Sequence, residues 1–141
     1  MDTRRGLLIV GAAAVLATGY MHFYLYFWGG YRGISIDRLA GIDISRSFAL
    51  NAVAGLLIAE ALALSLRYER LATPAAALGI LFAAAAIAGY TLARTSGLLG
   101  FTESGWSSEA VIAMVAEVLA IVSLASYLVI SLRRTKLAPV T

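Results

Sequence analysis

Four strongly polar side chains lie inside long apolar stretches of this 141-residue chain, and their types could support proton transfer, hydrogen bonding or ligand binding. They are His22, Asn51, Glu60 and Glu117. Imidazole and carboxyl groups exchange protons, and an amide both donates and accepts hydrogen bonds. Such groups are costly inside a membrane, where they tend to mark sites, relays or contacts between helices. These four residues are therefore the first candidates for function.

The apolar stretches around these residues predict an all-α four-helix transmembrane bundle. They cover residues 7–28, 47–66, 74–93 and 110–132. Hydrophobic residues make up 61% of the chain and charged residues 13%, whereas soluble domains are about half apolar and about a quarter charged. Because about 20 apolar helical residues cross a hydrocarbon core, each stretch can span once. We expect residues 1–141 to form a single integral membrane domain.

The composition argues against several function classes. The chain has no cysteine, which removes disulfides, thiolate metal sites and Cys nucleophiles. Its net charge of +3 comes from basic residues at segment ends, so nucleic-acid binding has no support. Four spans with short connections leave no room for an enzyme domain outside the membrane. Any chemistry is therefore expected in the bundle or its loops.

The distribution of Lys and Arg predicts the orientation of the bundle. Most of these residues flank the N-terminus, the second connection and the C-terminal tail: Arg4, Arg5, Arg67, Arg70, Arg133, Arg134 and Lys136. The positive-inside rule then places both termini in the cytoplasm, an N-in/C-in topology. The longer connections, residues 29–46 and 94–109, face outward. We expect the first of them to lie against the bundle or the lipid headgroups, and against the bundle it would form a cap.

Helix 3 is predicted to be central or tightly packed on two sides. Small residues recur every fourth position in two of its rows, Ala75-Gly79-Ala83 and Ala85-Gly89-Ala93. Such rows let helix backbones approach closely in lipid. At the start of this helix, Thr73 is expected as the N-cap, with Pro74 in the first turn.

Helical depth predicts one polar layer in the outer half of the bundle. At a rise of about 1.5 Å per residue, His22, Asn51 and Glu117 lie a few residues below the outer boundary. Helix 3 ends at a similar height. We expect five side chains to share a ligand-binding pocket there: His22, Asn51, Tyr90, Arg94 and Glu117. The glycine-rich segment 94–106 is expected to form either a capped turn or a lid over it.

Glu60 does not belong to this layer. It lies nearer the cytoplasmic end of helix 2, about half a helical rotation from Asn51. It therefore needs a different partner. The candidates are Tyr127 or Ser126 of helix 4, Arg67, or a neighbouring protomer.

The polar layer is open to several interpretations. A few His, Asn or Glu residues in a bundle often serve only as hydrogen-bonding groups between helices, each worth about 1 kcal/mol. They can equally line a pathway for a proton or a ligand. His22 with Glu117 also supplies two ligand types that zinc or iron accepts, although one His per chain excludes bis-His haem within a monomer. A Ser-His-Asp type triad has no supporting nucleophile elbow.

Several short motifs are spread over nearly the whole chain. They are His22 and Tyr24 leading to Gly30-Tyr31-Arg32-Gly33-Ile34, then Asn51-Ala52-Val53-Ala54-Gly55, Arg94-Thr95, Gly97-Leu98-Leu99-Gly100-Phe101 with Trp106, and Ala116-Glu117. In these motifs the chain resembles a group of uncharacterised small four-helix integral membrane proteins of actinobacteria and related bacteria. The resemblance implies a multi-pass protein of the bacterial cytoplasmic (inner) membrane and implies no activity. The architecture is loosely similar to DoxX-like proteins, whose glycine-lysine feature at the end of the first helix is absent here.

Three function classes remain open. The first is an accessory or interaction subunit in the lipid bilayer, either a homo-oligomer or part of a larger membrane complex. The second is a protein that binds or transports a small polar ligand or a proton through the outer pocket. The third is a metal- or cofactor-dependent membrane enzyme, for which the sequence assigns no catalytic residue, no metal site and no cofactor. The residue pattern favours a non-enzyme.

Overall fold

The protein is an all-α four-helix bundle, as the apolar stretches predict. The computed structural model describes residues 2–137, of which the last four are described without their side chains. The helices are α1 (Thr3–Phe27), α2 (Ile44–Ser65), α3 (Ala72–Thr95) and α4 (Ser108–Leu137). All four are long and apolar enough to cross a membrane. The chain is thus a multi-pass membrane protein, and its N-in/C-in topology stays a prediction.

Each helix begins before its apolar run, and in α1, α2 and α4 the added residues include polar ones. Helix α2 begins at Ile44, where the carboxylate of Asp43 accepts a hydrogen bond from the backbone N–H of Arg46 at 2.9 Å. Helix α3 begins at Ala72, directly after a 3₁₀ turn at Glu69–Leu71. Thr73 is therefore inside the helix, and its expected role as N-cap is wrong. Pro74 does lie in the first turn, where its missing N–H costs no hydrogen bond.

Close backbone contact joins α1 to α2. A Cβ atom built on Gly55 would lie 2.7 Å from the Cα atom of Gly19, so neither helix has room for a side chain at this crossing. Helix α1 has the most extensive contacts in the bundle, mainly with α2 and α4. Helix α3 packs on two sides, against α4 and α2, but α1 and not α3 holds the central position.

The core lies in the half of the bundle that contains the N-terminus of α1. Leu124 of α4 is fully buried and fills the space that Gly11 of α1 and Gly79 of α3 leave open. The large buried side chains around it include Val15, Leu62 and Tyr127. This half is filled by side chains and closed by an interaction between α1 and α4, in which the Arg4 guanidinium lies over the Tyr127 ring.

The opposite half is covered by the two long loops, which contact each other. Each loop contains a two-residue tight turn, at residues 39–42 and 98–101, closed by two backbone hydrogen bonds. The central residues of both turns have positive φ angles: Ala40 (51°), Gly41 (80°), Leu99 (50°) and Gly100 (73°). The Asp37 N–H donates to the Leu99 carbonyl at 3.2 Å, so the two loops form a joint cap.

Candidate ligand-binding cavity

A cavity of about 270 Å³ lies between the helices beneath the loop cap. All four helices and both loops contribute to its lining. An engineered protein cavity of about 150 Å³ holds one benzene molecule. This cavity therefore has room for a substituted ring of larger size.

Four of the five side chains expected in the outer pocket line this cavity. His22 comes from α1, Asn51 from α2, Tyr90 from α3 and Glu117 from α4. The fifth residue, Arg94, does not line it. Helical periodicity therefore brings together one polar group from each helix, each on the inner face of that helix.

The carboxyl group of Glu117 is the most deeply buried polar group of the cavity. Its residue is only 3% exposed, and it faces the cavity without a hydrogen-bond partner among the described residues. A buried carboxyl group that lacks a partner is costly in either protonation state. Glu117 is thus available to a group that occupies the cavity.

His22 presents a hydrogen-bond acceptor to its surroundings. Its Nδ1 lies 2.9 Å from the Thr18 carbonyl oxygen, and a carbonyl only accepts, so Nδ1 carries the hydrogen. In neutral imidazole the other nitrogen, Nε2, then has a free lone pair. No described residue donates to it. The ring itself packs against Phe48, with ring centroids 5.2 Å apart.

Most hydrogen-bond donors around the cavity are already committed to protein acceptors. Tyr31 donates to a Glu103 oxygen at 2.6 Å, Ser47 to the Ile44 carbonyl at 2.7 Å, and Tyr90 to the Gly105 carbonyl at 3.1 Å. Among the described residues, the lining groups left without partners are the Glu117 carboxyl, His22 Nε2 and the Asn51 amide. With Glu117 ionised, the first two only accept hydrogen bonds, and the Asn51 amide both donates and accepts.

Aromatic rings form the wall on the loop side. Tyr31 stacks on Phe48 with ring centroids 4.2 Å apart, and its edge meets Phe101 at 5.7 Å. Burial raises the pKa of the Tyr31 hydroxyl, and the hydrogen bond to Glu103 raises it further. Tyr31 is thus held as a neutral donor to that carboxylate. This contact ties the first loop to the second across the cavity.

Arg94 lies beside the cavity and not in it. Its guanidinium lies 4.8 Å from the centre of the Trp106 ring and donates to the Gly105 carbonyl. It also approaches the Tyr90 hydroxyl at 3.5 Å. Arg94 therefore fixes the second loop against the end of α3, which is a structural role that its position in the sequence did not indicate.

Sequence reasoning missed the contribution of three lining residues. Tyr31, Phe48 and Glu103 were not among the expected pocket residues, yet all three line the cavity. The only indication of their role in the sequence came from the residues next to them. Tyr31 lies between turn-forming glycines, and Glu103 lies in the glycine-rich segment that was expected to act as a turn or a lid. Their meeting across 72 positions in the chain depends on the loop fold.

Glu60 lies outside the cavity on the exposed surface of α2. Of the four candidate partners, the three within the chain, Tyr127, Ser126 and Arg67, make no hydrogen bond or ion pair with it. Tyr127 instead accepts a hydrogen bond from Arg4 at 3.3 Å, and Glu60 has no partner among the described residues. The fourth candidate, a neighbouring protomer, stays a prediction.

Residues 2–137 contain no group of three or more His, Cys, Asp or Glu side chains that could hold a metal ion.

No protein-family model matches the chain, and no curated protein or solved structure shows significant similarity to it. The resemblance to small four-helix membrane proteins stays a prediction.

Proposed function

We propose that this chain binds a small, partly apolar molecule in the cavity beneath the loop cap. The observation that carries the proposal is the buried Glu117 carboxyl, which faces a cavity of about 270 Å³ and has no partner among the residues that the structure describes. Binding sites for small molecules are typically apolar pockets with a few convergent polar groups. We further propose that the protein resides in a bacterial cytoplasmic membrane, with the cavity toward the outer face.

A cavity-filling substitution tests this proposal, and α3 offers a matched pair of sites. Ala86 lines the cavity, whereas Ala84 is exposed on the outside of the same helix. The test uses the purified, detergent-solubilised chain and a mixture of phenyl-bearing fragments of either charge or none. Binding is followed by saturation-transfer NMR. We expect wild type and Ala84→Phe to bind at least one fragment, and we expect Ala86→Phe not to bind that fragment. Equal binding by Ala86→Phe, or no binding by wild type, would refute the proposal.

A second candidate function, an accessory or interaction subunit, is favoured by Glu60. Its carboxyl group lies on a surface of α2 that exposes Leu56, Leu57 and Leu64. A lipid-facing carboxyl is costly, whereas a contact with another protein can supply a hydrogen bond. Glu60 would then lie at a helix contact with a second copy or another membrane protein. This function and ligand binding use different surfaces and are compatible.

The association state in lipid nanodiscs tests this second candidate. Native mass spectrometry of wild type is expected to show a complex that Glu60→Leu weakens at least tenfold. Val53→Ala is the matched control, because it changes the same exposed surface of α2 without removing a polar group, and it should leave the complex intact. Ser126→Leu would not serve, because Ser126 is partly buried. A wild-type chain that stays monomeric and carries no partner would refute this candidate.

A further inference from the structure

We infer that the ligand of the cavity is a small organic cation, such as an arylalkyl ammonium ion, whose positive group pairs with Glu117. This inference rests on the proposed binding function and specifies its substrate class. Three independent features of the lining lead to it: its charge, its hydrogen-bonding groups and its aromatic rings.

The charged groups of the lining are of one sign. Glu103 and Glu117 both line the cavity, and none of the Lys or Arg side chains that the structure describes does. Arg94, the neighbouring cation, has its guanidinium over Trp106 and hydrogen-bonded to Gly105. Glu117 has no partner among the described residues, and a buried carboxyl group of this kind is costly in either protonation state. Because the described part of the lining includes no Lys or Arg, a cationic ligand supplies the counter-charge that the ionised form requires.

The hydrogen-bonding groups of the lining complement a donor. Tyr31 and Tyr90 already donate to protein acceptors, while the Glu117 carboxylate and His22 Nε2 have none of the described residues as donors. An ammonium group carries three donors and no acceptor. It therefore matches both of these acceptors, and the Asn51 amide oxygen can accept from it as well. A carboxylate or a carbonyl ligand could use only the Asn51 N–H donors and would leave Glu117 and His22 Nε2 unpaired.

The aromatic wall fits both parts of such a ligand. Tyr31, Phe48 and Phe101 pack together at this wall, and Tyr90 lines the cavity from α3. The face of an aromatic ring attracts cations, most strongly when the site is desolvated. The same rings provide an apolar surface for the ligand's own ring. A cation with an attached ring thus finds complementary groups throughout the cavity.

Three probes of similar size and different charge separate this inference from the proposed function. They are phenethylammonium, 2-phenylethanol and phenylacetate, measured by saturation-transfer NMR against the purified chain. We expect phenethylammonium to bind at least tenfold more tightly than the other two. If the alcohol or the carboxylate binds equally well or better, the cation inference is overturned while the binding function stands. If none of the three binds, the cation inference is overturned, and the fragment mixture described above decides the binding function by itself.

Substitution of Glu117 tests its role in the preference. Glu117→Gln keeps the size of the side chain and removes the charge. It should weaken phenethylammonium binding at least tenfold and leave the affinity for 2-phenylethanol within threefold of the wild-type value. Glu60→Gln removes a carboxyl outside the cavity and should change neither value. Should Glu117→Gln fail to fold, Glu117→Asp keeps the charge and should retain the preference for the cation. Unchanged cation binding in folded Glu117→Gln, or a lost preference in folded Glu117→Asp, would overturn the inference.

Discussion

Asp43 shows how a single carboxylate organises the loop that covers the cavity. It is buried at the start of α2, where it accepts hydrogen bonds from the Arg46 N–H and the Ser35 hydroxyl at 2.9 Å each. Arg38 adds an ion pair at 3.4 Å. These contacts lower the pKa of Asp43, the Arg46 N–H bond most strongly. Its ionised form therefore stabilises the folded loop.

The lowered pKa of Asp43 gives a pH-dependent prediction. A carboxyl with a lower pKa in the folded state stabilises that state above its unfolded pKa, near pH 4, and loses this contribution as the pH falls through the folded value. Asp43→Asn mimics the protonated form and keeps an N-cap acceptor. We expect this variant to melt at a lower temperature than wild type at pH 7. The difference between the two melting temperatures should begin to shrink as the pH falls below about 4 and continue to shrink toward the lower folded-state pKa of Asp43.

Circular dichroism melts of both proteins from pH 7 to pH 3 provide the measurement. Asp43→Ala serves as a second variant, because it also removes the cap and should melt lower than Asp43→Asn at every pH. A difference between wild type and Asp43→Asn that does not change with pH would contradict this account of the loop.

At the scale of elements, the contact between α1 and α2 depends on two glycines. Ala at position 55 would place its Cβ 2.7 Å from the Gly19 Cα atom, and backbone cannot move aside as a flexible side chain can. We expect Gly55→Ala to destabilise the bundle by about 1–3 kcal/mol, the usual range for overpacking. Reversible unfolding in mixed micelles measures this change.

Gly89→Ala is the matched control for that substitution. It also places Ala at a helical glycine, but the nearest atom to the new Cβ is Leu98 Cδ2 at 3.8 Å, which is ordinary contact. Ala is intrinsically a better helix former than Gly, so this variant should be as stable as wild type. Equal stability of the two variants would show that the Gly19–Gly55 crossing is not tight.

The contact between the loops depends on Gly100. Its φ angle is 73°, and a Cβ atom there would lie 2.7 Å from an Asp37 carboxylate oxygen. We expect Gly100→Ala to separate the loops and to weaken ligand binding in the cavity at least fivefold. Gly105→Ala is the control, because its Cβ would lie in open space, and it should bind the ligand as wild type does. Fragment binding by NMR compares them. Wild-type affinity in Gly100→Ala would contradict a role for the joint cap.

The sequence predicted the helices better than it predicted the loops, for a physical reason. A helix that spans lipid must be apolar over about 20 residues, so each span is visible as a continuous run. The start of α2 at Ile44 depends instead on the Asp43 cap, and the cap between loops depends on tight turns whose partners are distant in the chain. Such contacts leave no periodic signal.

The same distinction applies to the candidate site. His22, Asn51 and Glu117 lie within helices, where depth and periodicity indicate that they share a layer, and all three line the cavity. Arg94 lies at the end of α3, where a long side chain can turn toward several neighbours. Its guanidinium is placed by Trp106 and Gly105, two loop residues whose positions the sequence does not specify.

At the scale of the whole molecule, the predicted N-in/C-in topology places the cavity toward the outer face. The chain has no cysteine, so single cysteines can be introduced without a background signal. Ser104→Cys, in the second long loop, should react with a membrane-impermeant maleimide in intact cells. Arg70→Cys, in the short connection, should react only after permeabilisation. The reverse pattern would place the cavity on the cytoplasmic side.

The central claim is that the cavity binds a cation through Glu117, and locating such a ligand in crystals tests it most directly. Crystals of the chain grown in a lipid mesophase with 4-bromophenethylammonium would reveal the bromine by its anomalous scattering. The account predicts one bromine peak among the aromatic rings of the cavity, with the ammonium group within hydrogen-bond distance of Glu117. A peak only on the outer helix surface, or no peak in the cavity at saturating probe, would contradict it.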